Sequence, residues 1–203
     1  MQIKKEEVRI ALLEAAEKEF LDKGFNNASL RKIIKAAGTT IGNFYNYFDS
    51  KEAIYEALVE GEYNKFVYFI EHHDEINRPD YLWEIADVRK WRSVMFEFIE
   101  AYIPPFSNRF VLLIEGSEGT RFEKTRDILL QVLTEHFLSH MEEFGHSHVH
   151  PEMAEIIAIQ FIEGFLFILK NHKEESLRKK LITEHLLFHI MGSMSLIGDF
   201  KDK

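Results

Sequence analysis

The stretch SLRKIIKAAGTTIGNFYNYF, residues 29–48, decides how this chain is to be read. Ser29 can accept a backbone N–H and open a helix. Leu30, Ile33, Ile34 and Ala37 then recur at helical spacing and give one apolar stripe. Gly38 takes a positive φ at little cost, which lets that helix stop sharply. Thr39 or Thr40 caps a second short helix, on which Ile41, Phe44 and Phe48 repeat at helical spacing and are expected to pack back on the first. A tight bend between two short helices, the second rich in small polar and aromatic side chains, is the form of a helix-turn-helix that lays its second helix in a DNA major groove. Thr40, Gly42, Asn43, Tyr45, Asn46 and Tyr47 are left to face outward or along the edge. Asn and Thr side chains read base edges, and Tyr and Thr hydroxyls bind phosphate oxygens. A plain helical hairpin has the same spacing, so the flanks must arbitrate.

They favour the groove-reading form. Residues 3–23 carry Val8, Leu12, Ala16 and Phe20 four apart, with Ala11 and Ala15 on the same face, and Gly24 ends the pattern. Phe25 is expected to plug a small core beneath the two short helices. After the motif, Asp49 and Glu52 stand three apart ahead of an apolar-periodic run, a capping-box arrangement. Lys51 lies in the first turn of that next helix, where a phosphate contact is expected.

With these residues in view, GFNNASLRKIIKAAGTTIGNFYNYFDSKEAI resembles the N-terminal DNA-binding region of the TetR family of bacterial transcriptional regulators. Gly24, Phe25, Ser29, Ile33, Ala37, Gly38, Gly42, Tyr45, Phe48, Lys51 and Glu52 match the family's pattern directly. Ala28, Ile34, Thr39, Thr40, Phe44 and Tyr47 depart from it without blocking the fold, Ile34 at the cost of slight repacking. The resemblance covers about residues 8–55. It implies an all-α protein: an N-terminal three-helix helix-turn-helix domain (1–49) and a C-terminal helical bundle (50–203) for effector binding and dimerisation. Ser29, Thr39, Thr40, Gly42, Asn43, Tyr45, Asn46, Tyr47 and Lys51 are the expected DNA-binding set. Double-stranded operator DNA, a second copy of the chain and a small effector are the implied partners. In such regulators the helix after the head, here 50–73, acts as the lever by which effector binding moves the heads.

Composition bounds these expectations. The 203 residues are 46% hydrophobic and contain no cysteine, which excludes disulfides and thiolate metal sites. Lys4, Lys5, Glu6 and Glu7 precede an amphipathic helix rather than an apolar block, and no stretch reaches the ~20 apolar residues of a membrane span. A cytoplasmic protein with no membrane partner is therefore expected. The net charge of −9 is unpromising for nucleic acid. It is unevenly spread, however: residues 1–55 hold nine basic and eight acidic side chains, and the remainder holds 16 and 26. A head at +1 needs local clustering of Lys4, Lys5, Arg31, Lys32, Lys35 and Lys51, and two heads acting together.

The rest reads as helices: 50–73, a short one near 80–86 after Pro79, 88–103 ended by Pro104 and Pro105, about 121–145, 152–171 and 175–197. FVLLI at 110–114 could be a buried strand, but with no partner strand a helix turn is preferred. The helix 152–171 is apolar almost all round, interrupted by Gln160, Glu163 and Gly164, so two of its sides must be covered. A two-fold four-helix bundle with the last helix follows, its interface expected at Ile157, Phe161, Gly164, Phe165, Ile168, Leu187, Met191 and Met194. Large rings are abundant in this part, Trp83 among them. Trp91, Met95, Phe98, Tyr102, Phe137, Phe161 and Phe165 are the candidates to line a site for an apolar or aromatic effector.

Other functions fare less well. His136 and His140 share a helix face, and His146, His148 and His150 alternate in a loop, so a metal-sensing regulator using residues 136–150 is an alternative. The loop lacks fixed geometry, and no metal site or cofactor is assigned. GSEGT at 116–120 lacks the Lys-Ser/Thr ending of a phosphate loop, there is no nucleophile elbow, and the chain is not expected to be an enzyme. A helical protein-interaction module with a weak DNA head is the remaining alternative.

Overall fold

A computed structural model describes residues 2–72, 88–102, 105–143 and 149–197. Every regular element among them is a helix: α1 (Gln2–Asn27), α2 (Leu30–Ala36), α3 (Ile41–Phe44), α4 (Lys51–His72), α5 (Val88–Tyr102), α6 (Asn108–Glu115), α7 (Thr125–Glu143), α8 (Met153–Asn171) and α9 (Glu175–Ile197). FVLLI is thus helical, forming most of α6, with Phe110 to Ile114 all buried. The helix expected from about 121 begins at Thr125, after a turn. The expected 80–86 helix, Pro79, Trp83 and Pro104 lie outside the described residues, as do His146 and His148.

The chain forms two compact units: residues 1–68 with 106–126, and 69–105 with 127–203. The first unit therefore runs past residue 49 and takes in α6. Its core is built on the predicted stripe of α1, where Leu12, Ala16 and Phe20 are buried. Gly24 (φ 68°, ψ 171°) kinks α1 and turns Phe25 inward, against Phe20 and Tyr55. The Tyr55 hydroxyl donates to the Leu112 carbonyl at 2.7 Å, fastening α4 to α6. Burial pushes this phenol well above the ordinary tyrosine range. At the other end of α6, buried Glu62 accepts the N-cap Ser107 hydroxyl at 2.8 Å, and Arg109 donates to Glu17 of α1 at 2.8 Å. The GSEGT turn is structural: the Phe25 N–H donates to the Gly116 carbonyl at 2.9 Å, and Gly119 (φ 83°) sits directly against Asn26.

In the second unit α9 packs on α5 and α8. Trp91 and Met95 of α5 meet Leu187 of α9, while Met141 of α7 meets Ala154 and Ile157 of α8. Gly164 of α8 is a notch filled by the chain's own α9: a Cβ there would lie 2.3 Å from His185 Cε1. The His185 Nε2 is 2.9 Å from the Phe161 carbonyl, and its ring stacks on Phe161.

Candidate nucleic-acid interface

Three caps set the reading head. Ser29 Oγ accepts the Lys32 N–H at 3.4 Å and opens α2, while the Ser29 N–H donates to Glu19 of α1 at 3.1 Å. Gly38 (φ 65°) turns the chain between the helices, with the Gly38 and Thr39 N–H groups on the Lys35 and Ile34 carbonyls. Thr40, not Thr39, caps α3, its Oγ1 accepting the Asn43 N–H at 3.2 Å. The cap of α4 lies one residue from the expected box: Ser50 Oγ accepts the Ala53 N–H at 3.1 Å. The Glu52 carboxyl is held below its usual range by its own backbone N–H first and by the Ser50 hydroxyl second.

Two rings hold α3 down. Phe44 is fully buried and Phe48 nearly so, with their centroids 5.9 Å apart. Ile41, expected in this core, is instead 54% exposed. Regular helix stops at Phe44 and residues 45–47 form a turn, so Phe44 and Phe48 complete the apolar contact without it. Thr40, Gly42, Tyr45 and Asn46 are exposed, Thr39, Asn43 and Tyr47 half-buried, and Ser29 half-buried behind them. The exposed side of α2 contributes Arg31, Lys32 and Lys35.

The polar side chains on and flanking α3 bind one another. Asn43 Nδ2 donates to Thr39 Oγ1 at 2.8 Å, and Asn46 Nδ2 donates to Asn43 Oδ1 at 3.4 Å. The Asn43 carboxamide is thus engaged on both sides, whereas Asn46 is exposed and gives only one amide hydrogen to this pair of bonds. Lys51 departs from the expected phosphate contact. Its ammonium donates to the Phe25, Ala28 and Asn26 carbonyls at 2.8, 3.3 and 3.5 Å and lies 4.3 Å from the Phe25 ring centroid. Those carbonyls lie at and just past the end of α1, where the helix leaves acceptors open, and the Phe25 carbonyl also accepts the Ala28 N–H at 3.3 Å, so the cation closes the end of that helix within the head.

The expected effector set is divided by the fold. Trp91 and Met95 are buried against Leu187, Phe137 packs on the Met141, Ala154 and Ile157 cluster, and Phe161 and Phe165 stack beside His185. The side chains of Phe98, Tyr102 and Met194 lie outside the described residues. Of the expected interface, Ile157, Phe165, Ile168 and Leu187 are buried within their own chain, Gly164 is filled by His185, and Phe161 and Met191 are half-buried. What α8 and α9 turn outward is Ile156, Ile159 and Phe167 (60% exposed), and Phe188 (71%) and Leu196. Among the described residues no three potential ligands cluster for a metal: His136 packs against Phe137 and exposed His150 pairs with Glu152. No helix of the described residues is long and apolar enough to cross a membrane.

Comparison with known proteins places the head. Residues 12–58 match the model for bacterial regulatory proteins of the tetR family. The uncharacterized HTH-type transcriptional regulator YdgC of Bacillus subtilis (strain 168) is 48% identical over 59 residues, which are 29% of this chain and 30% of that protein. The HTH-type transcriptional regulator UidR of Escherichia coli (strain K12) is 32% identical over 85 residues, 41% of this chain and 43% of that one. The chain thus spans less than half the length of these two relatives. For the fold as a whole, a TetR family transcriptional regulator from Chloroflexus aurantiacus J-10-FL is similar with a TM-score of 0.50 at 15% identity, over 93% of this chain and 87% of that one. The reading head, from the α1 stripe through the Ser50 cap, is thus a head of the kind carried by the tetR family of bacterial regulatory proteins.

Proposed function

We propose that the chain is a DNA-binding transcriptional regulator: a homodimeric repressor that holds a palindromic operator through two copies of the head and is released by a small apolar or aromatic effector bound within residues 50–203. The observation that carries this reading is the division of α3. Phe44 and Phe48 anchor it, and its remaining side chains are polar or solvent-facing, on a head whose exposed α2 side is basic. That is the surface a recognition helix offers to a major groove. Helix N-termini and Arg31, Lys32 and Lys35 supply phosphate attraction. Selection from a random duplex pool with the full chain, followed by binding at several salt concentrations, tests it. Enrichment of a two-fold sequence with a steep salt slope is expected. Failure to enrich any duplex would favour the interaction-module alternative.

The second copy fits the face of α8 and α9 that bears Ile156, Ile159, Phe167, Phe188 and Leu196, since so much apolar area on adjacent helices is unusual for a free surface. Phe188→Glu places a charge in that face without disturbing the chain's own core. In sedimentation equilibrium the wild type is expected to be a dimer and the variant a monomer. Two species of equal mass would remove this face from the interface.

A further inference from the structure

The side chain of Ile41 has no role in the fold. It is 54% exposed at the first position of α3, while the core beneath is completed by Phe44 and Phe48. Its neighbours are polar or bare: Thr40 caps the helix, Asn43 is bound to Thr39 and Asn46, and nothing lies within 4 Å of the position a Cβ would take at Gly42. A β-branched side chain has few χ1 states to lose, so Ile41 is already shaped for contact. In this setting, beside the basic side of α2, the partner of an apolar group must itself be apolar and sit among hydrogen-bonding edges. In a major groove only thymine offers such a group, its 5-methyl.

We infer that Ile41 sets the operator preference of this protein by packing against the 5-methyl group of one thymine in each half-site, with Asn43 a positioning residue and not a base reader. The inference rests on the regulator reading above and adds a specificity residue to it. Asn43 Nδ2 and Oδ1 are both engaged within the head, which ties α3 to Thr39 before it and to the exposed Asn46 after it.

The experiment removes the methyl group from the DNA. Duplexes enriched from a random pool by the full chain are resynthesised with deoxyuridine in place of each invariant thymine and titrated by fluorescence anisotropy at one salt concentration. One position per half-site is expected to respond, with a loss of roughly fourfold per half-site for a methyl contact, and roughly fifteenfold when both copies are changed. Ile41→Ala should bind the thymine duplex more weakly by a similar factor and be indifferent to the uracil change. Its thermal melt should match the wild type because the side chain is half exposed; the uracil series on the wild type needs no variant at all. Enriched duplexes that tolerate uracil everywhere, or a uracil penalty that persists in Ile41→Ala, overturn the inference while leaving the regulator reading intact. No enrichment overturns both.

Discussion

Gly164→Ala is expected to destabilise the protein, although the same change at other helical glycines should stabilise it. In a helix interior, alanine is favoured over glycine by roughly 1 kcal/mol because the glycine backbone loses more freedom on folding. Gly61 of α4 and Gly192 of α9 have nothing within 4 Å of an added Cβ, so both should show that gain. At Gly164 the new methyl would lie 2.3, 2.9 and 3.1 Å from Cε1, Nε2 and Nδ1 of His185. That ring cannot simply swing aside. It is tied to the Phe161 carbonyl at 2.9 Å, stacked on Phe161 with centroids 5.2 Å apart, and faces the His189 edge at 4.6 Å. Displacing it forfeits a hydrogen bond of about 1 kcal/mol and ring contacts of about 1 kcal/mol, with overpacking strain of about 1 kcal/mol added if α8 and α9 spread. Against the helical gain, a net loss of about 1–2 kcal/mol remains. Urea denaturation followed by circular dichroism, at one protein concentration for all variants, reads this as a lower midpoint at unchanged slope. The double variant Gly164→Ala, His185→Ala isolates the contact, because with the ring gone the alanine should again be favourable. A midpoint for Gly164→Ala that rises as far as that of Gly61→Ala would show that the notch is not filled as described.

Two further outcomes follow from buried or internally engaged groups. His189 titrates at about 4 in the folded chain, pushed down by burial first and by His185 second, against about 6.5 when unfolded. Between these values the unfolded chain binds more protons, so this contribution is complete above about pH 6.5 and is lost as acidification approaches pH 4, by up to roughly 3 kcal/mol. His189→Leu should flatten the urea midpoint over that window; parallel profiles for variant and wild type would mean that another group titrates there. Lys51→Met keeps the alkyl stem and removes the charge, so the Asn26 and Ala28 carbonyls lose the ammonium and the Phe25 carbonyl keeps only the Ala28 N–H. The head should lose about 1–2 kcal/mol, yet the salt dependence of operator binding should keep its slope; a slope smaller by about one per head would return Lys51 to a phosphate.

The elements that could be read from sequence were those with a local cause. Ser29, Gly38 and Thr40 announce helix ends through chemistry that acts within three or four residues, and the α1 stripe of Leu12, Ala16 and Phe20 states which face is inside. Helical phase run from Ile41 through Phe48 puts all three side chains on one face, whereas α3 ends at Phe44, the chain then turns, and Phe44 with Phe48 fills the core while Ile41 stays exposed. Lys51 had two chemically equal destinations, phosphate or carbonyl, and sequence carries no preference between them. The outward face of α8 was hidden for a different reason: a helix that is apolar nearly all round has no polar stripe to mark its phase. In sequence Ile157, Phe165 and Ile168 are therefore equivalent to Ile156, Ile159 and Phe167, and only packing within the unit, that of Ile157 against Met141 of α7 among it, distinguishes them. Gly164, read as a place for a second copy to approach, is occupied by the chain's own His185.

These placements bear on how a nearly neutral head can hold DNA. Nine basic and eight acidic residues in 1–55 already leave little net attraction, and drawing the Lys51 ammonium into the interior reduces it further. The cations that remain on α2 are few, so one head offers a small number of phosphate contacts and, at physiological salt, weak binding. The proposed dimer would change the arithmetic, because the second head's contact would be made at an effective concentration set by the dimer and not by the solution. In the proposed dimer the outward face of α8 and α9 would govern operator affinity without touching DNA. On the inference drawn from Ile41, that side chain and the polar edge of α3 would then decide which sequence is held, the division of labour expected when positioning contacts are scarce and base contacts must supply the discrimination.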